Sequence, residues 1–153
     1  MGSRWQFFHR RQPSFLIIMT HLSRHQLAKA TVTFLGDKRT LMRAMRDHLR
    51  EQGITDIHMI HDMGLALDRM RSHGPDVLVV DLDDTADEVA RTIQSIRADK
   101  EFYQLPIIAL TGHASKEVVL KAARMGATDV IVKPFPLKQL HERVLAALGR
   151  NEA

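Results

Sequence analysis

The 153-residue chain is 44% hydrophobic and 26% charged, with no cysteine and a formal charge of +4. That length supports one domain with a real core. The missing cysteine excludes disulfides, a thiolate nucleophile and cysteine-held metal, and suits a reducing cytoplasm. No apolar run approaches the roughly 20 residues that cross a bilayer.

The charge is uneven. Residues 1–30 hold Arg4, Arg10, Arg11, Arg24 and Lys29 and no acid, which leaves 17 bases against 18 acids in the remainder. A basic nucleic-acid-binding face on the body is therefore not expected. The first segment mixes Trp5, Phe7, Phe8 and Pro13 with the five-residue apolar run Phe15-Leu-Ile-Ile-Met19. That run is shorter than the roughly 7–15 residues of a secretory h-region. Residues 1–30 are read as a basic, aromatic tail, disordered or an artefactual upstream extension, with contact to anionic lipid or nucleic acid as the alternative. Residues 31–150 are read as the domain.

From residue 31, strand-like and helix-like runs alternate five times. The first strand is Val32–Leu35. The helix after it carries Leu41, Met45 and Leu49 at i, i+4 and i+8, and Gly53 stops it. A poorer strand covers Ile54–Ile60. A short helix over Met63–Arg71 closes at Gly74-Pro75. The third strand is Val77–Val80. Thr85-Ala-Asp-Glu88 is a capping box, opening a helix with Val89, Ile93 and Ile96 on one face. Pro106–Leu110 is the fourth strand. Ser115 caps the next helix and Gly126 ends it. Val130–Val132 is the fifth strand. The last helix is lined by Leu137, Leu140, Val144 and Leu148 and stops at Gly149. This order predicts an α/β domain with a parallel sheet, right-handed crossovers and helices on both faces.

Three of these strands end in reactive residues: Asp81, Thr111 and Lys133, the last followed by Pro134. Parallel strands deliver their final residues to one edge, so a carboxylate, a hydroxyl and an ammonium gather in one crevice. Asp81 is the candidate nucleophile, because a carboxylate can attack phosphorus and form an acyl phosphate. An anion attacking an anion needs a cation beside it, and Mg²⁺ prefers oxygen ligands. Asp37, Asp81 and Asp83, the last through its backbone carbonyl or its carboxylate, are the candidate metal ligands. Thr111 is placed to donate to a phosphoryl oxygen. Lys133 is placed to pair with Asp81 before transfer and with the phosphoryl group after it. The Lys133–Pro134 bond is a candidate cis peptide. Taken singly, an acid or a threonine after a strand is an ordinary cap or loop residue; the argument rests on the three together.

With these residues the chain resembles the receiver domain of bacterial response regulators, closest in size to the stand-alone chemotaxis type. Residues 31–150 carry the resemblance, through Arg43, Arg46 and Gly53, Ile96-Arg-Ala-Asp99, Leu105-Pro106 and, most specifically, Val132-Lys-Pro-Phe135. The resemblance implies a flavodoxin-like (βα)5 sheet of order 2-1-3-4-5, the order for which the chemotaxis receiver is itself a standard example. It also implies phosphorylation of Asp81 by a histidine kinase or phosphotransfer protein, with Mg²⁺, in a two-component phosphorelay. Output is then through a downstream protein target, on the face of the last two helices and strand five, which is also a candidate homodimer surface.

Three departures stand out. Gly36 replaces the first of two adjacent acids, which predicts weak Mg²⁺ binding. The loop after Asp81 reads Leu-Asp-Asp-Thr-Ala-Asp-Glu and lacks the family's usual Met-Pro and Asp-Gly pairs. Val130 stands where an aromatic switch residue is usual. Asp83 and Asp84 are placed to replace the missing carboxylate; Asp84 is read as a solvent-facing cap residue, and for Asp83 both readings stand. Gly36 and Val130 favour an alternative, a pseudo-receiver that works as an interaction module without phosphate.

A rival from the enzyme class is a haloacid-dehalogenase-type phosphatase, since Asp81-Leu-Asp-Asp-Thr85 also reads as Asp-x-Asp-x-Thr after a strand. Two βα units precede it, and the segment beyond Lys133 has only Glu142 and Glu152 as acids, so the motif lacks its context. The chain is read as a signalling protein and not an enzyme. His21 and His25, at i and i+4, are read as coincidence without a third metal ligand. His58 and His61 are expected on opposite sides of a strand and not as a pair. His113 is expected to be a solvated loop residue.

Overall fold

The computed structural model describes residues 22–83 and 86–152. A short helix α1 (Arg24–Lys29) precedes β1 (Thr31–Leu35), α2 (Arg39–Glu51) and β2 (Asp56–Ile60). After one 3-10 turn (Met63–Leu65) come α3 (Ala66–His73), β3 (Val77–Asp81), α4 (Ala86–Ala98), β4 (Ile107–Thr111), α5 (Lys116–Met125), β5 (Asp129–Val132) and α6 (Leu137–Glu152). The five strands are all parallel, in the order β2-β1-β3-β4-β5. The flavodoxin-like order expected from the sequence is the one observed.

Strands buried on both faces read as continuous apolar runs. Every residue of β1, β3 and β4 is buried. Alternate residues feed two layers. Val32, Phe34, Val77, Val79, Ile108, Leu110 and Ile131 join Met42, Met45 and Leu49 of α2 and Leu140, Val144 and Leu148 of α6. On the other face, Leu35, Leu78, Val80 and Ile107 pack with Met70 of α3 and Val89, Ile93 and Ile96 of α4. Ala109 and Val130 pack there with Val119 and Ala122 of α5.

The tail assignment covers residues 1–30, and residues 1–21, His21 among them, lie outside the described residues. Within residues 22–30, Ser23 and Gln26 form a reciprocal capping box on α1, and Leu22 and Leu27 pack on the α2/α6 layer. Two residues assigned to the tail, Leu22 and Leu27, thus pack against the domain.

Several element boundaries shift from the sequence reading. β2 starts at Asp56, because Ile54 is spent closing α2: its N–H donates to the Leu49 carbonyl at 3.0 Å. The helix expected from Met63 begins at Ala66, after a 3-10 turn that the Asp62 side chain caps by accepting from the Gly64 amide at 2.9 Å. β3 and β4 extend to Asp81 and Thr111, so both reactive residues sit in the sheet itself. The last helix does not stop at Gly149 and runs to Glu152. A helical glycine costs only about 1 kcal/mol, and the buried Val144, Leu145 and Leu148 hold this helix on the sheet. The stops at Gly53, Gly74 and Gly126 are as expected, each with positive φ. Thr85, one half of the expected capping box of α4, lies outside the described residues.

Candidate functional site

The 2-1-3-4-5 order puts the topological switch between β1 and β3, where loops diverge and leave a crevice. Asp81 is the last residue of β3, Thr111 the last of β4, and Lys133 follows β5. The backbone carries the same convergence, since the Leu82 N–H donates to the Leu110 carbonyl at 2.8 Å and the Lys133 N–H to the Thr111 carbonyl at 2.7 Å. The Lys133–Pro134 bond, whose isomer the sequence left open, is cis.

Asp81 is buried, 5% exposed. Its Oδ2 accepts from Lys133 Nζ at 2.6 Å, and its Oδ1 accepts from the Asp83 backbone N–H at 2.9 Å. The Lys133 ammonium also reaches Asp83 Oδ2 at 3.2 Å. Thr111, 1% exposed, does not bond to Asp81 directly. Its hydroxyl donates to Asp83 Oδ1 at 3.2 Å and accepts from the His113 N–H at 3.1 Å. The Gly112 N–H donates to Asp83 Oδ2 at 2.7 Å. The three predicted residues therefore share one small cluster, with the Asp83 carboxylate at its centre.

The electrostatics follow from these contacts. Burial works against ionisation of Asp83, but the Gly112 amide, Lys133 and the Thr111 hydroxyl hold its carboxyl below the usual value. Burial likewise disfavours the charged form of Lys133, yet Asp81 and then Asp83 raise it above the ordinary lysine range. The ammonium stays protonated and is shared between two carboxylates.

Asp37 lies at the other side of the crevice. It lines a cleft of about 650 Å³ together with Arg39, His61, Asp62, Met63, Asp83 and Glu88. Gly36, at the departure from the double acid, is buried; its carbonyl is 2.9 Å from His61 Nδ1. The predicted metal set of Asp37, Asp81 and Asp83 is not assembled in this arrangement. Among the described residues, no three His, Asp or Glu side chains converge as a metal site. The reason is visible: both oxygens of Asp81 and both of Asp83 are turned onto protein donors. Asp84 lies outside the described residues.

Comparison with known proteins fits this site and this topology. The family model described as the response regulator receiver domain matches residues 32–145. The chain belongs to the response regulator receiver family. It is 27% identical over 113 residues to the chemotaxis protein CheY of Pseudomonas aeruginosa, covering 74% of this chain and 91% of that one. It is 28% identical over 113 residues to CheY-3 of Vibrio cholerae, covering 74% and 87%. Among solved structures, it matches the chemotaxis response regulator CheY4 of Vibrio cholerae with a TM-score of 0.70 at 22% identity, over 77% of this chain and 98% of that one. A two-component response regulator from Clostridium difficile matches with a TM-score of 0.72 at 20% identity, over 81% and 99%. These structural likenesses bear on the fold. The phosphatase reading of Asp81-Leu-Asp-Asp-Thr85 gives way to this membership, and receivers are signalling proteins. No helix among the described residues is long and apolar enough to cross a membrane.

Sequence reasoning missed two participants in this receiver site. Gly112 supplies a backbone donor, and a Cβ there would stand 3.1 Å from Asp83 Oδ2, so glycine permits the close approach. Its place directly after a hydroxyl at a strand end was the available signal. His61 was set aside as not paired with His58. That separation holds, since His58 bonds to Asp56 and stacks on His73, whereas His61 turns to the Gly36 carbonyl and the cleft. The third departure is visible as well: Val130 is buried, 1% exposed, and packs with Ala109, Val119 and Ala122.

Proposed function

We propose that this receiver accepts a phosphoryl group on Asp81 from a histidine kinase or a phosphotransfer protein and signals as a response regulator in a two-component phosphorelay. The observation that carries this reading is the 2.6 Å contact of Lys133 Nζ with Asp81 Oδ2, next to the Thr111 hydroxyl. The ammonium lowers the repulsion between the attacking carboxylate and the incoming phosphoryl oxygens. After transfer, the same ammonium and the Thr111 hydroxyl serve as donors to the phosphoryl group. Mg²⁺ is the cofactor that family membership implies. Asp37 is the acid that β1 retains for it, with an Asp81 oxygen, once its present contacts open, and the backbone carbonyl of Asp83 as the further ligands.

Output runs through protein contacts and not turnover of a substrate. The surface of α5, β5 and α6 is the face for a downstream protein target, and a candidate homodimer face. The cytoplasm is the compartment that suits such a relay and a chain without cysteine. The test is intact-mass analysis after incubation with acetyl phosphate and millimolar Mg²⁺. One phosphoryl group is expected on the native chain and none on Asp81→Asn. An unmodified native chain under these conditions would end the proposal.

A further inference from the structure

The Asp83 carboxylate is held by a hydroxyl, a backbone amide and an ammonium: Thr111 Oγ1 at 3.2 Å, Gly112 N at 2.7 Å and Lys133 Nζ at 3.2 Å. This is a set of donors for an anion with several oxygens. Two of the three are the groups assigned above to the phosphoryl group, and the third lies beside them. We propose that Asp83 is an internal stand-in for the phosphoryl group, occupying its donors in the unphosphorylated chain, so that phosphorylation of Asp81 is a displacement of one anion by another. The inference rests on Asp81 being the phosphoacceptor.

Geometry makes Asp83 suited to this place. The Asp83 N–H is tied to Asp81 Oδ1 at 2.9 Å, which sets its side chain directly beside the nucleophile. Gly112 leaves the room for its carboxylate to reach the backbone. Asp83 also lines the cleft shared with Asp37 and His61, so a side-chain rotation has open space to enter. Phosphoryl transfer makes the exchange necessary. With acetyl phosphate, one Asp81 oxygen forms the new O–P bond while the P–O bond to acetate breaks and acetate leaves with the electron pair. No proton is required for that step. The product places phosphoryl oxygens beside Lys133, Thr111 and Gly112, and two anions cannot share those donors without strong repulsion. Asp83 must therefore release them for the product to be stabilised. A carboxylate that serves instead as a positioning group or metal ligand would help the reaction, and its removal would slow it.

The experiment compares the native chain with Asp83→Ala and Asp83→Asn. The first readout is the rate of Asp81 phosphorylation by acetyl phosphate at fixed Mg²⁺, followed by intact mass. Removal of the stand-in is expected to speed phosphorylation about tenfold, the scale of one charge-assisted hydrogen bond. The second readout needs no phosphorylation. In ¹H–¹⁵N spectra titrated with inorganic phosphate, the Gly112 amide is expected to shift in Asp83→Ala at phosphate concentrations that leave the native chain unmoved. Asp83→Asn keeps the side-chain shape without the charge and is expected to fall between the two. Slower or unchanged phosphorylation in both variants, or a Gly112 amide no more responsive than in the native chain, overturns the proposal. If no form takes up a phosphoryl group, the phosphoacceptor reading fails instead, and the phosphate titration still decides what Asp83 does.

Discussion

The ring of His58 lies flat against that of His73, with centroids 3.8 Å apart and 7° between planes. One ring comes from β2 and the other from the end of α3, so the stack joins a strand at the sheet edge to the helix beneath it. His73 is also 2.7 Å from Thr33 Oγ1 on β1. Two protonated imidazoles cannot stack at that distance without repulsion. Burial, then the charge of His58, hold His73 below the ordinary histidine value. His141 on α6 is depressed for the same two reasons, burial and a neighbouring histidine, His48 of α2.

A folded-state pKa below the unfolded value means that the unfolded chain takes up protons first. The stability contributed by neutral His73 and His141 is complete above the unfolded value of about 6.5 and is lost as pH falls through their lower folded values. Urea midpoints are expected to fall between pH 7.5 and 5, well before carboxylates titrate. His73→Gln, which keeps a partner for Thr33, is expected to flatten part of that slope. A slope identical in the variant would show that this stack does not couple to folding.

Arg97 ties the end of α5 to the turn after α4. Its Nη2 and Nε donate to the Gly126 carbonyl at 2.6 and 3.1 Å, and its Nη1 donates to the carbonyls of Phe102 and Tyr103 at 3.2 and 3.1 Å. One guanidinium thus satisfies the end of α5 and the turn after α4. Gly126 has φ of 117°, and a Cβ there would sit 2.8 Å from Arg97 Nε. Arg97→Ala strips three carbonyls of their donors, those of Gly126 and Phe102 in partly buried contacts, and is expected to cost roughly 2–3 kcal/mol in urea unfolding. Arg97→Lys is expected to recover less than half, because one ammonium cannot span the fork. Full recovery by lysine would assign the effect to charge alone.

Lys133 bears on both stability and chemistry. Without its ammonium, the carboxylates of Asp81 and Asp83 face each other with no cation between them. Lys133→Met is expected to destabilise the chain by roughly 2–3 kcal/mol at pH 7. The loss is expected to shrink on acidification below about pH 4, where carboxyl groups protonate. In the native chain the sign is the same from both partners: the lowered Asp83 carboxyl gives stability that is lost as pH falls below its ordinary range, and the raised Lys133 gives stability lost only above the usual lysine range. Acetyl phosphate is expected to leave Lys133→Met unmodified on the time scale that labels the native chain. A variant as stable as the native chain and as reactive would remove Lys133 from the site.

Much of the fold was legible because each βα unit is written in local terms. Val77-Leu-Val-Val80 can only be a doubly buried strand, and Gly53, Gly74 and Gly126 mark left-handed helix ends where a side chain would be strained. The gathering of Asp81 and Lys133 followed from topology, since a parallel sheet delivers its strand ends to one edge. The role of Asp83 was not legible. Two readings stood for it, metal ligand and solvent-facing cap, and its carboxylate bonds to residues 28, 29 and 50 positions away along the chain. No periodicity encodes such a contact. Gly149 shows the converse limit: it reads locally as a stop, yet long-range packing of Val144 and Leu148 carries the helix past it.

Gly36 tests the account of the acidic cleft. It sits at the end of β1, its N–H donating to the Ile60 carbonyl at 3.1 Å, and it is not among the glycines with positive φ. An aspartate there carries no backbone strain. The added carboxylate would stand next to Asp37, on the rim where Asp83 and Glu88 already lie. A further unit charge within a few ångströms of a divalent ion is worth more than 1.4 kcal/mol at protein-like permittivity, so Mg²⁺ affinity is expected to rise by about tenfold or more. The check is a Mg²⁺ titration of the native chain and Gly36→Asp, followed by the amide shifts of Asp37 and Asp81. Repeating it with Asp83→Ala separates the two contributions: if Asp83 is held by Thr111, Gly112 and Lys133, its removal changes Mg²⁺ affinity less than the Gly36 substitution does. Equal affinities for the native chain and Gly36→Asp would mean that the missing acid is not what limits metal binding in this cleft.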